Sequence, residues 1–162
     1  MALRIIKLDG DPVLRKKSKK IDKITDRIEV LLDDMVETMQ DANGIGLAAP
    51  QVGILRRAIV VDIGEGVIKM INPEIIEKDG SVVDVEGCLS VPNLSGTVER
   101  PEKIKVKYTD EEGNNKLAEA SGLLARAIAH EIDHLNGILY TDKVIEYVDL
   151  EEEKEEIEYE KR

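Results

Sequence analysis

The sequence contains no phenylalanine and no tryptophan, and its aromatic side chains are four tyrosines at 108, 140, 147 and 159. Such a chain must fill its interior with Ile, Val, Leu, Ala and Met, which argues against an aromatic binding platform. Cysteine is almost as scarce: with Cys88 alone, no internal disulfide can form. Cys88 is therefore a packing residue, a reactive thiol or a metal ligand. No apolar run approaches membrane-spanning length, and the opening residues lack the apolar core and small-residue cleavage site of a signal peptide. The expected location is the cytoplasm, with no membrane association. Positive charge is also short, with 23 Lys and Arg against 34 Asp and Glu and a net charge of −11. That balance is a poor match to nucleic acid, whose binding needs a basic face that releases counterions from phosphates.

The length of 162 residues fits one domain with a sizeable core. Much of the acidic excess sits at the end, where Glu151 to Arg162 carries seven Glu against two Lys and one Arg. The expected organisation is one catalytic domain over 1–148 and an acidic tail over 149–162, helical or frayed. After a basic stretch (Arg15, Lys16, Lys17, Lys19, Lys20), the segment from Thr25 to about Asp41 spaces Ile28, Leu31, Leu32, Met35, Val36 and Met39 as one face of a helix, with Thr25 or Asp26 as N-cap. Asn43 and Gly44 end it and open an irregular, rigid loop, Gly44-Ile45-Gly46-Leu47-Ala48-Ala49-Pro50-Gln51-Val52-Gly53. Short strands follow over Ala58 to Asp62, Val67 to Ile71, Ile75 to Lys78 and Ser81 to Val85, then a hairpin pairing Ile104 to Thr109 with Lys116 to Ala120. A second helix runs from Gly122 to about Asn136, with Ser121 as N-cap and Gly137 just past its end. Strands gathered between two helices make the fold class α+β.

The second helix is apolar around almost its whole circumference, interrupted by His130, Glu131, Asp133 and His134, so those polar groups need buried partners. The chain's two histidines lie at i and i+4, one helical turn apart on one face, where both rings can reach one ion. Glu131 lies beside them, placed to accept a proton from water. Each feature alone has a bland reading, a hydrogen-bonded core histidine or a small buried cysteine. Together they are hard to explain by packing. A catalytic metal site needs a third protein ligand and an open position. Downstream of His134 there is no His or Cys, which turns attention to Cys88.

Three motifs then occur in order: Gly44-Ile45-Gly46-Leu47-Ala48-Ala49-Pro50-Gln51, Glu86-Gly87-Cys88-Leu89-Ser90, and His130-Glu131-Ile132-Asp133-His134-Leu135. With them the sequence, from about Leu8 to Thr141, resembles the peptide deformylases. The resemblance implies antiparallel or mixed β-sheets wrapped around a central buried helix that carries the histidine motif, with the N-terminal helix packed on the sheet. It implies one divalent metal ion, ferrous iron first and zinc, nickel or cobalt as substitutes, held by Cys88, His130 and His134. Glu131 would take a proton from the attacking water and return one to the leaving amine. The Gln51 amide and the Leu89 backbone N–H would hydrogen-bond the developing oxyanion. The substrate would be the N-formyl group of a newly synthesised polypeptide beginning with methionine, released as formate. Ile45, Leu123 and Ala127 would line the methionine pocket, and the backbone near Ile45, Gly46 and Gly87 would pair with the extended peptide.

Two departures accompany the resemblance. The family usually has glutamine before its first metal histidine, and here Ala129 stands there, removing a hydrogen bond that could tune the metal or water. Asp133 has two readings, a partner that fixes a basic neighbour such as Arg100 or Arg126, or a salt bridge on the helix surface. Bacterial members often dock on the ribosome through a C-terminal helix, whereas the tail here is acidic and repels RNA. Two other readings stay open on the residues alone: a helical zinc peptidase that cleaves internal bonds, and a catalytically silent binder of formylated peptide or metal.

Overall fold

The computed structural model describes residues 2–148, and the acidic tail expected at 149–162 lies outside the described residues. Helix α1 (Asp26–Asp41) begins at Thr25, whose side chain accepts a hydrogen bond from the Ile28 N–H, as its capping chemistry predicts. Leu31, Leu32, Met35 and Met39 form its buried stripe. The strands are β1 (Gly46–Ala48), β2 (Ala58–Val61), β3 (Ile68–Asp79), β4 (Val82–Cys88), β5 (Val91–Arg100), β6 (Lys103–Thr109), β7 (Asn115–Ser121) and β8 (Glu146–Val148), with helix α2 (Gly122–Leu135) between β7 and β8. They form two antiparallel sheets in the orders β1-β2-β3-β6-β7 and β4-β5-β8.

Alternation along the short strands β1 and β2 explains the core. Ala48, Ile59 and Val61 face α2 and pack with Met70, Val106, Ile128, Ile132 and Leu135. Leu47, Ala58 and Val60 face the other way, onto Leu31, Leu32, Met35 and Met39 of α1. The sheet is thus buried on both faces where the two helices cover it, and its inner strands read as unbroken apolar runs. Each buried Leu, Ile or Met contributes roughly 1.5–3 kcal/mol relative to exposure. These layers hold α2 at the centre of the molecule.

Several expectations are corrected. The strands read at Val67 to Ile71 and Ile75 to Lys78 are one strand, β3, with a register shift between Ile71 and Glu74. At that bend Asn72 has φ +52. Its side chain accepts from the Ile21 N–H at 2.9 Å and donates to the Ile21 carbonyl at 2.8 Å, imitating a strand neighbour. Strand β5 was missed because Pro92, Asn93 and Gly96 read as turn residues. Gly96 is needed there, because an added Cβ would run into the Val144 side chain and lie 3.1 Å from the Glu146 carbonyl oxygen, where β8 approaches. The expected loop at 44–53 holds β1 and a short 3-10 turn, Ala49–Val52. Ser121 precedes α2 but its side chain makes no cap bond: it ends β7, and Gly122, with φ +60, turns the chain straight into the helix. Gly137 takes the left-handed conformation past the helix end, with φ +76, as expected.

Candidate metal centre

Helix α2 sets the rings of His130 and His134 with centroids 5.0 Å apart. Cys88 comes from the other sheet. Between Gly87 and Cys88 the β4–β5 register shifts, so the chain turns through Leu89 and Ser90 and Cys88 leaves the regular ladder. Its Sγ lies 3.3 Å from His134 Nε2. One donor atom from each of Cys88, His130 and His134 falls within 4.8 Å of the others.

Behind this cluster Glu86 acts as a buried hub. One oxygen lies 2.8 Å from His130 Nδ1 and accepts from Arg100 at 2.9 Å. The other accepts from Arg100 at 2.8 Å and from Arg126 at 2.6 Å. With Nδ1 of His130 committed to a carboxylate, the nitrogen left for a ligand is Nε2, the arrangement by which an outer carboxylate orients a ligating imidazole. Burial would push the Glu86 carboxyl up, but His130 and Arg100 outweigh it and hold the group at about 2.

The cavity side is less complete. Burial, reinforced by Glu86 and Asp133 and opposed by His130 and Arg100, raises Glu131 to about 7. Its Oε1 is buried without a hydrogen-bond partner. Burial, then the charges of His130 and Arg100, keeps His134 well below its ordinary value, in the neutral form that ligates. Burial would lower His130 too, but Glu131, Cys88 and Glu86 outweigh it and hold the group up at about 10. Donor atoms of Cys88, His130 and His134 thus converge on one spot, and His130 gives up its proton when it ligates. A thiolate, two imidazoles and a neighbouring carboxylate fit a divalent ion with one coordination position open to solvent or substrate.

Gln51, 1% exposed, is fixed at both ends. Its Oε1 accepts from the Ala48 N–H at 2.9 Å, and its Nε2 donates to Ser90 Oγ at 3.0 Å and to Cys88 Sγ at 3.6 Å. Gly46 owes its identity to Glu131, because a Cβ there would overlap the Glu131 carboxylate, with its Cδ only 2.9 Å away.

These residues surround a cavity of about 330 Å³. Cys88, His130, Glu131, Gln51 and Leu89 line it. So do Ile45, Gly46, Gly87, Leu123 and Ala127. His134 does not line the cavity and closes the cluster from behind, 1% exposed. Ile45 and Leu123 are exposed, whereas Ala127 also belongs to the core packed against the sheet.

The sequence profile of the polypeptide deformylases matches residues 3–158. This chain belongs to that family. A peptide deformylase of Caldicellulosiruptor bescii is 62% identical over 152 residues, covering 94% of this chain and 92% of the relative. One of Alkaliphilus metalliredigens is 62% identical over 145 residues, 90% of this chain and 99% of the relative. The crystal structure of peptide deformylase from Thermotoga maritima superposes with a TM-score of 0.87 at 44% identity, covering 89% of this chain and 99% of that one. A Synechococcus elongatus peptide deformylase solved in complex with actinonin gives a TM-score of 0.85 at 44% identity, over 91% and 81% of the two chains.

Deformylases are metal-dependent hydrolases that remove the N-formyl group of newly made polypeptides, and the enzyme class of this chain follows from its membership. Sequence reasoning missed Glu86, Ser90, Arg100 and Arg126 as parts of the site. Glu86 and Ser90 sit inside the quoted Cys88 motif, and the signal available was the need of a buried ligating histidine for an outer partner. Asp133 pairs with Arg100 at 2.6 Å and with Lys143 at 2.9 Å. Arg126 instead serves Glu86 and the carbonyls of Val98 and Val82. Among the described residues no helix is long and apolar enough to cross a membrane.

Proposed function

We propose that in this chain Cys88, His130 and His134 hold one divalent ion, and that Glu131, Gln51 and Leu89 carry the removal of formate from formyl-methionyl polypeptides. The observation that carries the reading is the meeting of Cys88, His130, Glu131, Gln51 and Leu89 in one cavity flanked by two sheet edges, with His134 behind it. Strand β1 is the edge of the larger sheet and β4 the edge of the smaller. When bound, the ion would supply Lewis acidity to the water and to the formyl oxygen.

Glu131, buried and near neutral in its proton affinity, accepts the proton of the attacking water and returns it to the leaving amine. Gln51 holds one N–H on Ser90, and the weak contact of the other to Cys88 at 3.6 Å is the one that a formyl oxygen can replace. The Leu89 N–H, on the turn just past Cys88, is the second oxyanion donor. Ile45, Leu123 and Ala127 accept the methionine side chain. The backbone at Gly46 and Gly87 pairs with the extended peptide, a use of free strand edges that explains why they are left open.

Ferrous iron is the proposed ion, with zinc, nickel and cobalt as substitutes that the same thiolate and imidazole donors accept. The substrate places the chain in the cytoplasm, where polypeptides are made. An acidic tail does not favour ribosomal RNA, so any docking on the ribosome uses another surface. The test is formate release from formyl-Met-Ala-Ser by protein loaded anaerobically with ferrous iron or nickel, beside unformylated Met-Ala-Ser. Formate release without cleavage of the control, inhibited by actinonin, is expected. Absence of release with one ion bound per chain, or cleavage of the control, overturns the reading.

A further inference from the structure

The segment 2–9 is hydrogen-bonded to two residues of the site. The Lys7 N–H donates to the Gln51 carbonyl at 2.7 Å, and the Asp9 N–H donates to the Ser90 carbonyl at 2.8 Å. Gln51 and Ser90 are the two residues joined by the 3.0 Å bond from Nε2 to Oγ. They come from different structural units: Gln51 from the 3-10 turn after β1, beside the larger sheet, and Ser90 from the turn between β4 and β5 in the smaller. The segment from Ala2 to Asp9 is therefore a strap that bonds to the backbones of two residues whose side chains also meet.

The strap is itself anchored on α1. The Ala2 N–H donates to Asp34 Oδ1 at 2.8 Å, the Arg4 N–H to Thr38 Oγ1 at 3.0 Å, and the Arg4 side chain to Asp34 Oδ2 at 2.9 Å. Asp34 is 4% exposed and Thr38 3% exposed, so these anchors are buried. By contrast Leu3, Ile5 and Leu8 on the same strap are 54%, 80% and 53% exposed. A segment that leaves its large apolar side chains in water while spending its backbone donors on Gln51 and Ser90 is not held there by burial alone.

We infer that the strap is a positioning element for the reaction: through its Lys7 and Asp9 N–H groups it sets the spacing between Gln51 and the turn carrying Leu89 and Ser90. Those are the two oxyanion donors in the reading above, on which this inference rests. A shift of one ångström in such a donor costs about a hundredfold in rate in a well-formed site, so a partial release is expected to cost about tenfold. The donors act only as charge develops on the formyl oxygen, so the loss should fall on kcat rather than on KM.

The experiment is a double-substitution cycle on the metal-loaded enzyme, with kcat, KM, metal content and thermal melting measured for every variant. Lys7→Pro removes the N–H that holds Gln51 and Asp9→Pro the one that holds Ser90. Lys7→Ala and Asp9→Ala keep both N–H groups and serve as controls. Expected are a loss of about tenfold in kcat for each proline variant with KM within about threefold, full metal content, unchanged alanine controls, and little further loss when Lys7→Pro is added to Gln51→Ala. A Gln51→Ala variant with undiminished kcat would show that the assigned role of Gln51 has failed, and the inference with it. If Gln51→Ala slows the enzyme and Lys7→Pro multiplies that loss independently, the strap inference alone is overturned. It is also overturned if kcat is unchanged in both proline variants, or if both lose metal or fail to fold, because the strap would then serve the fold and not the donors.

Discussion

The two sides of the His130 ring face opposite kinds of polar environment. On the Nδ1 side, Glu86 meets Arg100, Arg126 and His130 in a network where both carboxylate oxygens have partners. On the other side, Glu131 Oε1 is buried and has none. Both sides are shut away from water, where an unpaired polar group costs about 1–3 kcal/mol. The satisfied network sets positions, and the unsatisfied carboxylate of Glu131, which lines the cavity, is where water or substrate enters. Leaving Glu131 incomplete is explicable only beside the first, which keeps the site aimed.

Substitutions on the two sides should therefore separate rate from stability. The largest effect on rate is expected for Glu131→Ala, a loss of about 10³-fold or more in kcat with the melting temperature unchanged or raised. The largest effect on stability is expected for Glu86→Ala, which leaves two arginines and a histidine without their anion and should cost about 3–5 kcal/mol, read by denaturant unfolding. Metal affinity should fall with it by about 10-fold or more. Next comes Gly46→Ala, whose methyl group displaces the Glu131 carboxylate. A fall of about 10²-fold in kcat is expected with little change in stability.

A smaller effect follows from acid. Glu86 is held at about 2 against an ordinary 4.5, so the folded state binds its proton more weakly than the unfolded chain. Its contribution is complete above the ordinary value and is lost as pH falls toward 2. Melting temperature should fall across that window, and the fall should be shallower in Glu86→Gln. The smallest effect is expected at Tyr140, 1% exposed, whose hydroxyl has no partner. Tyr140→Phe should change stability by less than about 1 kcal/mol, in contrast to every substitution in the Glu86 network.

The same contrast explains what could be read without coordinates. The helices and the histidine pair were legible because helical spacing and residue chemistry are local: α1 and α2 follow their apolar stripes within a residue or two. Ile45, Gly46, Gln51 and Cys88 were found through motifs, and the cavity brings them together with His130 and Glu131. Partnership was not legible. Arg100 and Arg126 reach Glu86 from 14 and 40 residues away, and only the meeting of β4, β5 and α2 in the folded chain places them there. Strand β5 went unread because Pro92, Asn93 and Gly96 carry turn chemistry that the β4 and β8 pairings override. Ala129, where the resemblance implies glutamine, is 5% exposed, and the carboxylate beside His130 is that of Glu86.

The central claim is that Cys88, His130 and His134 bind the ion while Glu131 moves the proton. Its most direct test is formate release per bound ion in Glu131→Gln, measured on nickel-loaded protein. The account expects about one ion per chain, as in the unaltered enzyme, with turnover lower by about 10³-fold. Turnover within a few-fold of the unaltered enzyme at full occupancy, or loss of the ion together with the activity, would contradict it.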